Sequence, residues 1–131
     1  MTSYRVDGAL LLLTIDTTST FDQRMAVYHA IAEDPLVPDA ALLLCDARQV
    51  RETYTQDVLE DRIPKFFEQL GPKLGSVCAM LVSAESDPLA ARLFQIKAGA
   101  RHVTVGLFQD LAEARRWLGP YARQASGAEG A

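Results

Sequence analysis

The sequence predicts an α/β domain with the element order β-β-α-β-α-β-α-β-α and a mixed, mostly parallel five-stranded sheet packed by about four helices. Three observations lead to this class. Apolar runs without alternation, such as Ala41 to Cys45 and Val77 to Val82, are typical of strands covered on both faces of a parallel sheet. Segments with helical periodicity lie between such runs, which favours right-handed crossover connections. The Asp7-Gly8 pair is a hairpin signal that adds one antiparallel strand at an edge.

The N-terminal third is predicted to hold this hairpin and one helix. Tyr4 to Val6 and Ala9 to Ile15 are its two strands, and the hydroxyl-rich segment 17–20 supplies N-caps for the helix. Pro35 and Pro38 end the helix. Apolar side chains recur at i, i+4, i+7 and i+11 and predict its buried stripe: Phe21, Met25, Tyr28 and Ala32.

The middle of the chain is predicted to run from a buried strand through a polar loop into a helix. Ala41 to Cys45 ends at Asp46, and a polar loop follows from Arg48 to Tyr54. Gln56 to Leu70 has helical periodicity, and Pro64 inside it is expected to kink or divide the helix.

The C-terminal elements carry clear start and stop signals. Ser86-Asp87-Pro88 combines a capping side chain with a first-turn proline and predicts a helix that ends at Gly99. Val103 to Phe108 is the last predicted strand, and Asp110 to Glu113 is a variant of the capping box. Gly119-Pro120 is expected to close the final helix.

Length and composition bound the class of protein. The 131 residues predict one domain over 1–120, followed by a flexible C-terminal tail over 121–131 that is rich in Ala, Gly and Ser. A net charge of -4 argues against a nucleic-acid partner that needs a basic face.

The longest strongly apolar run, Ala9 to Leu13, is far shorter than the ~20 residues of a transmembrane segment. The N-terminus lacks the pattern of a signal peptide, and Cys45 and Cys78 suit buried reduced thiols, so we expect a cytoplasmic protein.

Two segments resemble a known family. The segment 103–118, VTVGLFQDLAEARRWL, has a strand that finishes in Phe, a short cap, then Glu-Ala and a Trp-Leu pair, and 43–48 reads LLCDAR. With the element order, these features resemble the STAS domain of bacterial anti-sigma-factor antagonists, and more closely its SpoIIAA-like (STAS/SEC14-like) branch, over residues 4–119. The resemblance implies a small non-enzymatic module, without a cofactor, that binds protein partners or apolar or amphipathic, lipid-like ligands.

The loop after the predicted strand Ala41 to Cys45 lacks the phosphorylation motif of regulatory STAS domains. Regulatory STAS domains carry a phosphorylatable Ser in an Asp-x-Ser-Gly context, whereas residues 46–55 contain neither Ser nor Gly. Thr53 and Thr55 suit helix caps, and are weaker candidates for phosphoacceptors. The resemblance makes a lipid-like ligand the first hypothesis, together with the bulky apolar residues of the Pro-containing helix: Ile63, Phe66, Phe67 and Leu70. A protein-interaction regulator acting through residues 48–55 is the alternative.

The candidate binding site lies at the carboxyl edge of the predicted sheet, where open α/β sheets bind ligands. Two loops and the wall of the Pro-containing helix supply nine residues: Arg48, Arg51, Tyr54, Ser83, Glu85, Ser86, Ile63, Phe66 and Phe67. The two arginines suit an anion clamp, but a solvated loop in which they pair with Glu52 and Asp57 is the simpler explanation. The apolar residues suit either a cleft wall or simple core.

Catalytic and metal motifs are weak in this sequence. Cys45 and Arg51 have the C-x5-R spacing of phosphatases, yet no glycine lies between them to form a phosphate cradle. No G-x-S-x-G turn is present, and neither His29 nor His102 has a second metal ligand at a suitable spacing. We therefore expect neither an enzyme nor a metal site.

Charge is distributed unevenly along the chain. Through Asp61 there are 4 basic and 11 acidic side chains, and beyond it there are 9 and 6. Solvated helix faces of differing sign are the simpler explanation of this pattern, and complementary faces in self-association are the alternative. Because closed dimers are the commonest oligomer, we expect a homodimer.

Overall fold

The computed structural model describes the backbone of residues 1–130 and the side chains of residues 1–124. Within this range there are five strands: β1 (Ser3–Asp7), β2 (Leu10–Thr14), β3 (Ala41–Asp46), β4 (Leu74–Leu81) and β5 (Thr104–Phe108). The α-helices are α1 (Phe21–Glu33), α2 (Gln56–Leu70), α3 (Pro88–Gly99) and α4 (Leu111–Gly130), with a 3-10 turn over Gly71–Lys73. The predicted order of elements is confirmed.

The five strands form one mixed sheet in the order β1-β2-β3-β4-β5. β1 pairs with β2 in antiparallel fashion, and the other three pairings are parallel, which confirms the predicted α/β class. Across the parallel part, Leu13 pairs with Cys45, Cys45 with Met80, and Met80 with Leu107. The carboxyl ends of β2 to β5 therefore lie along one edge of the sheet.

The helices cover the sheet unequally. One buried cluster joins one face of β2, β3 and β4 to α1, α2 and α3. A smaller cluster joins the opposite face of β3 and β4 to α4 through Ala114 and Leu118. Both faces of β3 are thus covered, which is why Ala41 to Cys45 is an unbroken apolar run and is buried throughout. None of the described helices is both long and apolar enough to cross a membrane.

The buried face of α1 differs from the predicted stripe. Arg24, Tyr28 and Ile31 are its buried residues, at the spacing i, i+4 and i+7, whereas Phe21 and Met25 stay partly exposed. The prediction counted apolar residues alone and therefore passed over Arg24, which occupies a buried position on this face. Thr20 caps the helix as predicted, in a capping box with Gln23.

Pro64 does not divide α2, so that alternative is wrong. The helix runs unbroken from Gln56 to Leu70 although Pro64 cannot donate a backbone hydrogen bond. Five buried side chains on one face hold the helix against the sheet and offset this loss: Leu59, Ile63, Phe66, Phe67 and Leu70.

The final helix passes through Gly119-Pro120, so the predicted end at this pair is wrong. An apolar stripe at helical spacing continues across the pair and belongs to the smaller buried cluster, between α4 and the sheet: Ala114, Trp117, Leu118, Tyr121 and Ala122. This packing stabilises the helix beyond the proline. The predicted tail therefore has helical backbone over residues 121–130, while Ala131 lies outside the described residues. The flexibility of the tail stays a prediction.

Candidate functional site

Two adjoining cavities open between α2 and the carboxyl edge of the sheet, and we call them together the cleft. Their volumes are about 160 and 150 Å³. Seven residues line both: Ile15, Arg24, Tyr54, Leu59, Ile63, Met80 and Phe94. The first cavity extends toward the start of α3 at Ala90 and Ala91, and the second toward α1 at Tyr28. The predicted location of a site at this edge is consistent with the cleft.

The lining of the cleft is mostly apolar. Besides the polar group around Glu52, which we call the polar end, Ser86 and Asp87 line the first cavity and Arg62 lines the second. Apolar side chains from β4, α2 and α3 contribute to the wall of both cavities, including Met80, Ile63 and Phe94. An engineered cavity of about 150 Å³ with such a lining binds benzene. Each cavity is therefore large enough for one ring-sized apolar group.

The polar end is a hydrogen-bonded group around Glu52, which we call the Glu52 cluster: Thr17, Arg24, Glu52 and Tyr54. The Tyr54 hydroxyl donates to Glu52 Oε2 at 2.5 Å, and the Thr17 hydroxyl donates to Oε1 at 2.7 Å. Arg24 Nη2 lies 3.2 Å from Oε2 and 3.4 Å from Oε1. One carboxylate thus receives two hydroxyl donors and one guanidinium, and Arg24, Glu52 and Tyr54 all line the first cavity.

Arg24 is held from behind by the segment after β2. Its Nη2 donates to the backbone carbonyl of Asp16 at 2.7 Å, and its side chain is only 10% exposed. Ser19 lies beside it, and its hydroxyl donates to the Asp16 carboxylate at 2.9 Å. A buried guanidinium is stable only with such partners.

The Glu52 cluster shifts the pKa values of its members. Partial burial alone would raise the pKa of Glu52, but hydrogen bonds from Tyr54 and Thr17 and the charge of Arg24 outweigh it and hold this pKa below its ordinary value. Burial, followed by the hydrogen bond to Glu52, raises the pKa of Tyr54. Near neutral pH the cluster therefore holds a charged carboxylate and a protonated phenol.

Comparison with protein-family models, with curated proteins and with solved structures finds no match to this chain. The resemblance to the STAS domain therefore stays a prediction.

The two arginines predicted to clamp an anion are paired with carboxylates. Arg48 binds Asp46 through Nε at 3.0 Å and Nη2 at 2.8 Å, and this pairing lowers the pKa of Asp46. Arg51 forms an ion pair with Glu85 in the neighbouring loop. The alternative of a solvated, paired loop agrees with these contacts except for the partners, which are Asp46 and Glu85 instead of Glu52 and Asp57. Glu52 turns inward to Arg24.

The serines at the start of α3 form a local turn. The Ser86 hydroxyl accepts the backbone N–H of Ser83 at 2.9 Å, and the Ser83 hydroxyl accepts the N–H of Glu85 at 3.2 Å. The N-cap of α3 is Asp87, whose carboxylate accepts from Leu89. Of the predicted serines, Ser86 lines the first cavity.

The predicted apolar wall is divided between cleft and core. Ile63 lines both cavities and Phe66 lines the second. Phe67 is 5% exposed and packs with Phe66 and Phe94 at ring-centroid distances of 5.3 and 5.2 Å. Phe67 lines neither cavity and belongs to the core.

The two threonines predicted as caps or phosphoacceptors differ in position. Thr55 is the N-cap of α2 and accepts the N–H of Val58 at 3.4 Å. Thr53 is exposed in the loop.

Among the described residues, no group of three or more His, Cys, Asp or Glu side chains is placed to hold a metal ion.

Two residues of the cleft lie outside the predicted site. The prediction does not include Arg24, although its spacing to Tyr28 and Ile31 marks the buried face of α1. It places Glu52 in the loop as a partner of other arginines. A polar residue at helical spacing from buried apolar residues is the signal that identifies Arg24.

Both cysteines are expected to be unreactive in the native protein. Burial, followed by the charge of Asp46, raises the pKa of the Cys45 thiol to about 12, and burial raises that of Cys78 well above its ordinary value. We expect iodoacetamide at neutral pH to label neither residue in native protein and both in urea, as measured by intact-mass spectrometry. Rapid native labelling of Cys45 would contradict this burial.

Proposed function

We propose that this protein is a non-enzymatic binding module for a small apolar or amphipathic ligand, which enters the cleft between α2 and the carboxyl edge of the sheet. The observation that carries this proposal is the cleft itself: two adjoining ring-sized cavities with apolar walls and the Glu52 cluster at one end. Concave, largely apolar sites with a few convergent polar groups are typical of small-molecule binding.

The size of the cleft narrows the ligand class. Each cavity is comparable to the engineered cavity of about 150 Å³ that accepts benzene. The ligand is then a molecule with one or two ring-sized apolar groups and a polar group near Arg24, Tyr54 and Glu52. Such a molecule gains affinity from the apolar surface that it buries.

The cysteine at this edge supports binding rather than catalysis. Cys45 lines the second cavity, but its thiol is 1% exposed and its raised pKa disfavours the nucleophilic thiolate. A reactive thiol requires a lowered pKa, which this environment opposes.

A cavity-filling substitution tests the proposal. Ala90 lines the first cavity from α3, so the larger side chain of Ala90→Leu occupies space that a ring would take. We expect 2-phenylethanol to bind the native protein saturably in a heteronuclear NMR titration, with shifts concentrated around the cleft. In Ala90→Leu the affinity falls by about tenfold, because the burial of a ring contributes about 1.5–3 kcal/mol.

The matched control is Ala112→Leu, which adds the same group to an exposed position of α4. It leaves the affinity for 2-phenylethanol unchanged. The absence of saturable binding to the native protein, or equal affinity in both variants, would remove the cleft as the binding site.

A further inference from the structure

We propose that the polar end of the cleft is a carboxylate-binding site occupied by the protein's own Glu52, and that the ligand carries a carboxylate which displaces it. This inference rests on the proposed function and names the chemical class of its ligand. The ligand is then a small monocarboxylate with an apolar body of one or two ring-sized groups.

The first argument is the set of donors that converge on Glu52. Two hydroxyl groups and a guanidinium reach its two oxygens: Tyr54 at 2.5 Å, Thr17 at 2.7 Å and Arg24 at 3.2 and 3.4 Å. Donors of this kind, with at least one charge, are what a carboxylate requires when it is withdrawn from water. Any carboxylate placed at the same point finds the same partners.

The second argument is that the central donor is fixed independently of Glu52. Arg24 belongs to α1, and its Nη2 donates to the Asp16 carbonyl at 2.7 Å, a shorter contact than either contact to Glu52. Arg24 also lines both cavities. The guanidinium therefore stays beside the cleft when Glu52 leaves, and a ligand reaches it from the apolar side.

The third argument is that Glu52 is the replaceable member of the cluster. It lies in the segment 47–55, outside helices and strands, and its side chain is 29% exposed. Its contacts to Arg24 are longer than the roughly 2.7–2.9 Å of a strong charge-assisted hydrogen bond. The neighbouring tether is the ion pair of Arg51 with Glu85, whose side chains are 49% and 72% exposed, and such pairs contribute little.

Charge balance selects the carboxylate over other polar groups. When a carboxylate ligand replaces Glu52, Arg24 exchanges one anion for another and remains neutralised. A neutral ligand that displaced Glu52 would leave a buried guanidinium without an anion, which is strongly unfavourable. Neutral ligands are therefore expected to bind the apolar part of the cleft with Glu52 still in place.

Matched probes and a vacated site provide the test. Phenylacetate and 2-phenylethanol share a ring and a two-carbon arm and differ in charge. Glu52→Ala removes the internal competitor, and Glu60→Ala, an exposed residue of α2, is the control for loss of one negative charge. We expect phenylacetate to bind Glu52→Ala at least about tenfold more tightly than the native protein or Glu60→Ala, because its carboxylate then accepts hydrogen bonds from Arg24 without having to displace Glu52.

The neutral probe separates this inference from the proposed function. We expect 2-phenylethanol to bind the native protein and Glu60→Ala with the same affinity, and Glu52→Ala to raise the affinity for phenylacetate more than the affinity for 2-phenylethanol. We also expect phenylacetate to raise the thermal unfolding midpoint of Glu52→Ala more than that of the native protein. If 2-phenylethanol binds the cleft while phenylacetate gains nothing from Glu52→Ala, the carboxylate inference fails and the proposed function stands. If neither probe binds any of the proteins, both fail.

A conservative variant keeps the test decisive if Glu52→Ala does not fold. Glu52→Gln keeps one acceptor oxygen, for either Tyr54 or Thr17, and loses the charge that neutralises Arg24. We expect its affinity for phenylacetate to lie between those of the native protein and Glu52→Ala. Binding of phenylacetate to Glu52→Gln no tighter than to Glu60→Ala would overturn the inference.

Discussion

Replacing Phe67 by Ala is expected to lower the free energy of unfolding by about 3–5 kcal/mol, the usual cost of removing a buried phenylalanine. The ring is 5% exposed and stacks on Phe94 at 5.2 Å. It also packs edge-on against Phe66, and the Arg101 guanidinium lies 5.4 Å from its centroid. Alanine would leave a cavity that these rings fill only in part. Urea unfolding monitored by circular dichroism measures the change.

The same variant distinguishes core from ligand wall. Because Phe67 lies outside the cleft, we expect folded Phe67→Ala to keep the native affinity for 2-phenylethanol. Leu36→Ala is the control, since Leu36 is 79% exposed and its truncation is expected to change stability by less than about 0.5 kcal/mol. If Phe67→Ala lowered the free energy of unfolding by less than about 1 kcal/mol and also weakened the binding of 2-phenylethanol, Phe67 would line the cleft, as the sequence predicts.

The sheet could be predicted from sequence because its signal is local. Ala41 to Cys45 is apolar at every position since both faces of β3 are covered, by α2 on one side and α4 on the other. Gly8 adopts a positive φ of 61° in the hairpin turn, as Asp7-Gly8 predicts. Each of these features depends on residues that are adjacent in the chain.

The end of α4 could not be predicted in the same way, because two local signals conflict there. Gly119-Pro120 is a strong stop signal, whereas Trp117, Leu118 and Tyr121 continue the helical stripe. The packing of this stripe on β3 and β4 decides the outcome, and that packing exists only in the folded protein.

The polar end of the cleft was beyond prediction for a related reason. Arg24 and Glu52 lie 28 positions apart and on different kinds of element, so no spacing rule joins them. The sequence placed a site at the carboxyl edge through Arg48 and Arg51, yet these side chains are satisfied by Asp46 and Glu85. Topology predicts the edge, but the pairing of charges depends on which side chains turn inward.

The pair of Arg24 and Glu52 is expected to contribute more through the cost of breaking it than through its net stability. In Arg24→Met the Glu52 carboxylate loses its cation while it remains mostly buried. We expect the free energy of unfolding to fall by about 2–3 kcal/mol. This is less than the roughly 3–5 kcal/mol lost when a fully buried pair is broken, because the Glu52 side chain is 29% exposed to screening water. Urea unfolding of this variant measures the loss.

A double-mutant cycle then isolates the coupling between the two residues. The double variant Arg24→Met, Glu52→Met removes both charges. We expect its free energy of unfolding to be at least about 1 kcal/mol higher than the value obtained by adding the effects of the two single changes. Lys65→Met is the control, because Lys65 and Asp61 form an exposed i,i+4 pair that contributes about 0.5 kcal/mol or less. Additive single changes would show that Arg24 and Glu52 do not depend on one another. A positive coupling means that the protein holds a guanidinium which is stable only beside an anion, and this is the property that allows a ligand carboxylate to take the place of Glu52.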